Sequence, residues 1–160
     1  MASSSSRIHA TIAQVALTVG LLTVIGGGIA IYWMARPYEP PSGADIFAVV
    51  EGKWAWTTSD SGCTKEWHRI TFSPDRTVMM IAASKPYEGA DGKFDSVAVY
   101  DIEAHTPTWI RGAIRGETRL TDAGKPVVWD LVLRSEDRYV WHRTDWEPRG
   151  STAAIRRCPP

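Results

Sequence analysis

The stretch 127–144, Val127-Val128-Trp129-Asp130-Leu131-Val132-Leu133-Arg134-Ser135-Glu136-Asp137-Arg138-Tyr139-Val140-Trp141-His142-Arg143-Thr144, decides the fold class. Two runs rich in β-branched and aromatic residues flank the short polar turn Ser135-Glu136-Asp137. In the first run Val127, Trp129, Leu131 and Leu133 share one side, opposite Asp130 and Arg134. In the second, Tyr139 and Trp141 share a side, opposite His142 and Thr144. A period of two across a short turn predicts an antiparallel hairpin with one dry face and one wetter face.

The same grammar extends upstream and downstream. Strands are predicted over Lys53–Thr58, Lys65–Phe72, Thr77–Ser84, Ser96–Ile102, Thr108–Arg115, Val127–Arg134 and Arg138–Thr144, with a last one near Thr152–Arg157. Asp45 to Val50 reads as a short helical turn before the first strand. Ser73-Pro74-Asp75-Arg76 and Asp122-Ala123-Gly124-Lys125-Pro126 supply turns short enough for an antiparallel meander. No amphipathic helical run interrupts the strands, which argues against a parallel α/β sheet. The expected architecture is an all-β domain of seven or eight antiparallel strands, an up-and-down barrel or, failing that, a sandwich.

Composition sets the surroundings. The chain has 160 residues with eight Trp and 44% hydrophobic residues, too apolar for a disordered chain. Lys+Arg and Asp+Glu are 18 each, without the basic excess of a nucleic-acid binder. The charges are unevenly placed. No Asp or Glu precedes Glu39, and no Lys or Arg lies between Arg7 and Arg36. Removing Arg7 and Arg36 from the 18 basic residues leaves 16 against 18 acidic ones in the remainder.

The N-terminal region reads as a membrane anchor. The 22 residues Ile12–Trp33 would span roughly 33 Å as a helix, enough to cross a bilayer core. Tyr32 and Trp33 suit the headgroup level, with Arg7 and Arg36 flanking the two interfaces. A cleaved signal peptide is the competing reading, but its apolar region would be shorter and end in small residues. The expected organisation is 1–7 cytoplasmic, 8–35 transmembrane helix, 36–44 linker, 45–160 extracytoplasmic β domain. Pro37, Pro40 and Pro41 make that linker a short semi-rigid spacer. Ala13, Ala16, Gly20, Thr23, Gly27 and Ala30 fall on one helical face, a small-residue stripe that lets a second helix approach closely. The plainer reading is that Ala and Gly are common in such helices.

Phe47 followed by Gly52-Lys53-Trp54 at the start of the first strand resembles the Gly-x-Trp opening of lipocalin-like, calycin-type barrels. The resemblance implies a barrel rather than a sandwich, with the Trp closing one end. A cysteine near the C-terminus tied back to the barrel is also common in that family. The Phe47–Gly52 spacing is shorter than the family's usual pattern, and the motif is small.

The two cysteines, Cys63 and Cys158, stand in the loop after the first strand and near the C-terminus. They fit no zinc-ligand spacing, so no metal is expected. On a translocated domain they are expected to form a disulfide; in a reducing compartment they would be two free thiols. A bridge implies the periplasm of a bacterium or an equivalent space.

Chemical signatures are sparse. His142, Asp130 and Glu66 share parity on their strands and could form a His–carboxylate pair inside the barrel. No nucleophile or oxyanion device accompanies them, and a polar face more often meets solvent. The loop Lys85–Asp95 holds Glu88, Asp91 and Asp95, but not in the EF-hand order. Gly112 and Gly116 fit no phosphate-cradling motif and mark a bend or bulge. Trp146 and Arg149 are residue types enriched in interface hot spots; they serve either a partner or local packing.

These features predict a non-enzymatic protein without a cofactor. The first expectation is an accessory subunit of a bacterial inner-membrane complex, docked through its helix with the β domain on the periplasmic face. Its partners would be other membrane subunits and the lipid bilayer, not nucleic acid. A respiratory or photosynthetic electron-transport assembly suits such a subunit by analogy alone. The alternative is a membrane-tethered, lipocalin-like binder of a small apolar ligand. The discriminator is the barrel interior: a centre filled by Trp and Met side chains leaves no room for a ligand.

Overall fold

The computed structural model describes residues 37–58, 61–88 and 94–160. The expected transmembrane helix, its small-residue stripe (Ala13, Ala16, Gly20, Thr23, Gly27, Ala30) and the interface residues Arg7, Tyr32, Trp33 and Arg36 lie outside the described residues. Among the described residues no helix is long and apolar enough to cross a membrane.

Residues Tyr38–Pro160 form one compact unit. Its elements are α1 (Ile46–Val50), β1 (Gly52–Trp56), α2 (Gly62–Lys65), β2 (Trp67–Phe72), β3 (Val78–Glu88), β4 (Phe94–His105), β5 (Trp109–Ile114), β6 (Val128–Ser135), β7 (Arg138–Arg143) and β8 (Ile155–Arg157). The eight strands form a closed barrel in sequence order, every neighbour antiparallel, with β8 returning to β1. This is the up-and-down barrel expected, and closure leaves no free sheet edge.

The alternation read in the sequence sorts side chains between the interior and the outside. Leu131 of β6 faces Trp141 of β7, and Leu133 faces Tyr139. All four are buried in the core with Trp54, Ile70, Met79, Tyr100, Ile110 and Ile155. Each large apolar side chain so buried contributes about 2–3 kcal/mol.

One end of the barrel is plugged. Asp45 caps α1 by accepting a hydrogen bond from the Phe47 N–H at 3.1 Å, and Ile46, Phe47 and Val50 are buried. The Phe47 ring meets Phe72 edge-on at 5.0 Å and His105 at 4.8 Å. Trp54 donates its Nε1–H to the Val50 carbonyl at 2.8 Å, tying β1 to the plug. Arg157 of β8 lies 4.2 Å over the Trp54 ring and donates to the carbonyls of Val49 and Glu51. Gly52 has φ +133°, and a Cβ there would stand 3.0 Å from the Arg157 guanidinium. The Gly-x-Trp pattern thus has a steric cause: glycine makes space for the arginine that covers the tryptophan. Tyr38, within the expected linker, packs part-buried against the same core.

β3 and β4 run beyond their expected ends. Their register shifts between Ala82 and Tyr87, and Pro86, which has no N–H to give a ladder, lies in that irregular stretch. A second irregularity falls between Ile102 and Ala104, opposite Gly112. A Cβ on Gly112 would meet the Asp101 carbonyl oxygen at 3.1 Å, tighter than ordinary contact, so glycine eases the close approach of the strands. β2 starts later than expected because Gly62–Lys65 coils into α2. Cys63 of α2 bonds to Cys158, just past β8, across a sequence separation of 95.

Candidate ligand cavity

Of the Trp and Met side chains that could fill the barrel, Trp54 and Met79 are fully buried in the plugged half, whereas Trp129 and Trp141 line the space beyond them. Toward the other end the interior holds a cavity of about 760 Å³. That volume falls in the range of small-molecule sites, roughly 300–1,000 Å³.

One wall is aromatic. Tyr100 of β4 stacks on Trp141 of β7 with centroids 5.3 Å apart and planes 11° apart. Trp129 meets Trp141 edge-on at 6.3 Å, and Tyr139 meets it edge-on at 5.9 Å. Tyr139 in turn abuts Trp54 at 4.9 Å. Each ring is held by the next, so the wall is rigid from the plug toward the mouth. Aliphatic side chains of Ile81, Ala83, Ala98, Ile114 and Ile155 complete the lining, and Trp56 stands at the mouth, 38% exposed.

The cationic side chains at the cavity are paired. Lys85 bridges Glu66 at 2.9 Å, Arg115 bridges Asp101 at 2.7 Å, and Arg119 bridges Glu117 at 2.7 Å while lying 5.5 Å over the Trp129 ring. The Glu117 side chain is nearly buried. Burial alone would raise its pKa, but hydrogen bonds from Arg119 outweigh this and hold the carboxyl below its ordinary value. The Asp101 carboxyl is lowered by hydrogen bonds from Arg115.

His68 of β2 also lines the cavity, and its Nε2 is 2.5 Å from the Tyr139 hydroxyl. Burial lowers its pKa to about 4. Tyr139 is fully buried, and burial raises its pKa well above the ordinary value. His68 was not among the candidates read from the sequence. The signal was available: His68, Ile70 and Phe72 alternate with Trp67, Arg69 and Thr71. The large ring of Trp67 on the other parity obscured which side faced inward.

The other sequence candidates are placed differently. Asp130 and His142 are register partners on the outer face, not an interior pair. Arg111 grips Asp130 with two bonds of 2.8 and 2.9 Å, and the His142 ring lies against the Gly150 carbonyl. Glu66 is at the rim with Lys85, remote from both in the pairing. Trp146 packs edge-on to Trp129 at 5.7 Å with Arg143 over its face at 5.8 Å, whereas Arg149 is exposed. Among the described residues no cluster of three or more His, Cys, Asp or Glu side chains could hold a metal ion.

The fold and cavity define a class: a closed, eight-stranded up-and-down barrel, plugged at one end and hollow toward the other. Comparison of the chain with protein families, with curated proteins and with solved structures found no match.

Proposed function

We propose that the protein is a membrane-tethered, lipocalin-like binder that takes up a small, largely apolar ligand inside its barrel. The observation that carries this reading is the cavity of about 760 Å³ walled by Tyr100, Trp129 and Trp141. A domain whose only task was to sit on a complex has no use for an interior left hollow at this size, because unfilled volume forfeits packing contacts. The apolar run Ile12–Trp33 and the Cys63–Cys158 bridge support a barrel held at the periplasmic face of a bacterial inner membrane. Accessory membership of a membrane complex rests on the stripe from Ala13 to Ala30, independently of the barrel, and is compatible with ligand binding. Co-migration of the tagged chain with a large complex in a mild-detergent native gel supports membership; migration as a free monomer contradicts it.

The test of ligand binding uses the full chain in lipid nanodiscs and the neutral fluorophore N-phenyl-1-naphthylamine, excited by energy transfer from tryptophan. Probe dissolved in lipid is subtracted with Ala98→Trp, which projects an indole into the cavity that Ala98 lines and obstructs it. Wild type is expected to show saturable transfer well above that variant. Equal signals from the two, with both barrels folded by circular dichroism, overturn the reading.

A further inference from the structure

The polar group at the cavity wall deepens that reading and rests on it. Tyr139 is wholly buried, and its hydroxyl lies 2.5 Å from His68 Nε2. The neighbouring Trp141 indole N–H can only donate to that hydroxyl. The phenol proton therefore has one acceptor among the described residues, the imidazole nitrogen, and leaving it unmade would cost the full desolvation of a buried donor. The phenol donates, and a neutral imidazole that accepts at Nε2 carries its own proton on Nδ1. Burial keeps His68 neutral at pH 7. Among the described residues the buried, unpartnered side-chain polar atoms are Tyr38 Oη and Trp129 Nε1. Among the described residues His68 Nδ1 has no hydrogen-bond partner and is not among these buried atoms, and the His68 side chain lines the cavity.

We infer that His68 presents a preset Nδ1–H donor to the ligand, and that the ligand is an aromatic or conjugated molecule without negative charge that carries a carbonyl-type acceptor. The aromatic part follows from the flat Tyr100–Trp141 stack and the Trp129 edge beside it. The lack of negative charge follows from the lining: Lys85, Arg115 and Arg119 are each already bound to a carboxylate, His68 is uncharged, and Glu88 and Asp95 add acidic groups. A carboxylate or phosphate ligand would have to break one of these ion pairs to be neutralised.

Two competitors of nearly identical shape test this: 2-acetylnaphthalene and 2-isopropenylnaphthalene, which replaces the carbonyl oxygen by a methylene. Each displaces N-phenyl-1-naphthylamine from the full chain in nanodiscs, with Ala98→Trp as the lipid background. Wild type is expected to prefer the ketone about three- to tenfold more than does the double variant His68→Phe/Tyr139→Phe, which removes the donor and leaves no orphan hydroxyl. If the alkene binds but the ketone preference is the same in both proteins, the role of His68 is overturned while ligand binding stands. If neither competitor nor probe binds above the Ala98→Trp variant, ligand binding itself falls. Should the double variant not fold, ¹⁵N shifts of the wild-type imidazole decide. A protonated Nδ1 with a bare Nε2 supports the inference, and the opposite tautomer overturns it.

Discussion

His68 couples the interior to pH. Its folded pKa of about 4 lies below the ordinary 6.5, so the unfolded chain binds the extra proton first as pH falls. The sign is therefore acid destabilisation that begins near pH 6.5 and is complete near pH 4, at a slope of roughly 1.4 kcal/mol per pH unit from this one group. The lowered carboxylates Asp75, Asp101, Glu117 and Asp145 act in the same direction, below about pH 4 where they protonate. The two windows separate. Urea unfolding between pH 7 and 4.5 is expected to show stability falling in wild type and nearly level in His68→Phe/Tyr139→Phe. A wild-type curve that is flat over that range contradicts a buried neutral imidazole. The sequence made this residue hard to see, because Trp67 next to it competes for the inside on size alone. Register decides the matter: pairing of His68 with Trp54 on one side and Ala83 on the other sets its parity.

At the scale of elements, the legible parts were those with strict alternation. The β6–β7 hairpin could be read residue by residue because Trp129, Leu131, Leu133, Tyr139 and Trp141 are large and regularly spaced. The Gly52-Lys53-Trp54 opening was legible as a pattern, but its cause required the far end of the chain. Arg157 crosses 103 positions to cover Trp54 and also bonds the carbonyls of Val49 and Glu51, a contact invisible to local reading. Arg157→Met keeps the apolar stem and loses those bonds; a loss of about 2 kcal/mol in denaturant-measured stability is expected. The extensions of β3 and β4 were missed because Pro86 signals a strand end locally, whereas the irregularity beside it lets pairing resume at Tyr87. β8 is only three residues long, so its place depends on what pins it. Replacing the bridge by Cys63→Ser/Cys158→Ser is expected to lower stability by up to about 4.5 kcal/mol in the chain-entropy account. Hydrogen exchange should show Ile155, Arg156 and Arg157 losing protection before β6 and β7. Equal protection in both proteins would show that the strand closes the barrel unaided.

At the scale of the whole molecule, the sequence told which side chains face inward but not whether they meet in the middle. That depends on strand tilt and shear, which set barrel width, and on where along the axis the large residues fall. Here they divide the interior in two. Ile46, Phe47, Val50, Trp54, Ile70 and Met79 pack one half solid, while Ala83 and Ala98 are too small to fill the other. The hollow half takes an apolar body, and its paired cations and neutral His68 favour one without a negative charge. The most direct test places the ligand by nuclear Overhauser effects between bound N-phenyl-1-naphthylamine and isoleucine and valine methyls of the full chain in nanodiscs. The account predicts contacts to Ile81, Ile114 and Ile155 around the cavity and none to Ile70 or Ile110 in the packed core. Contacts confined to methyls away from the cavity, such as that of Val132, would contradict it.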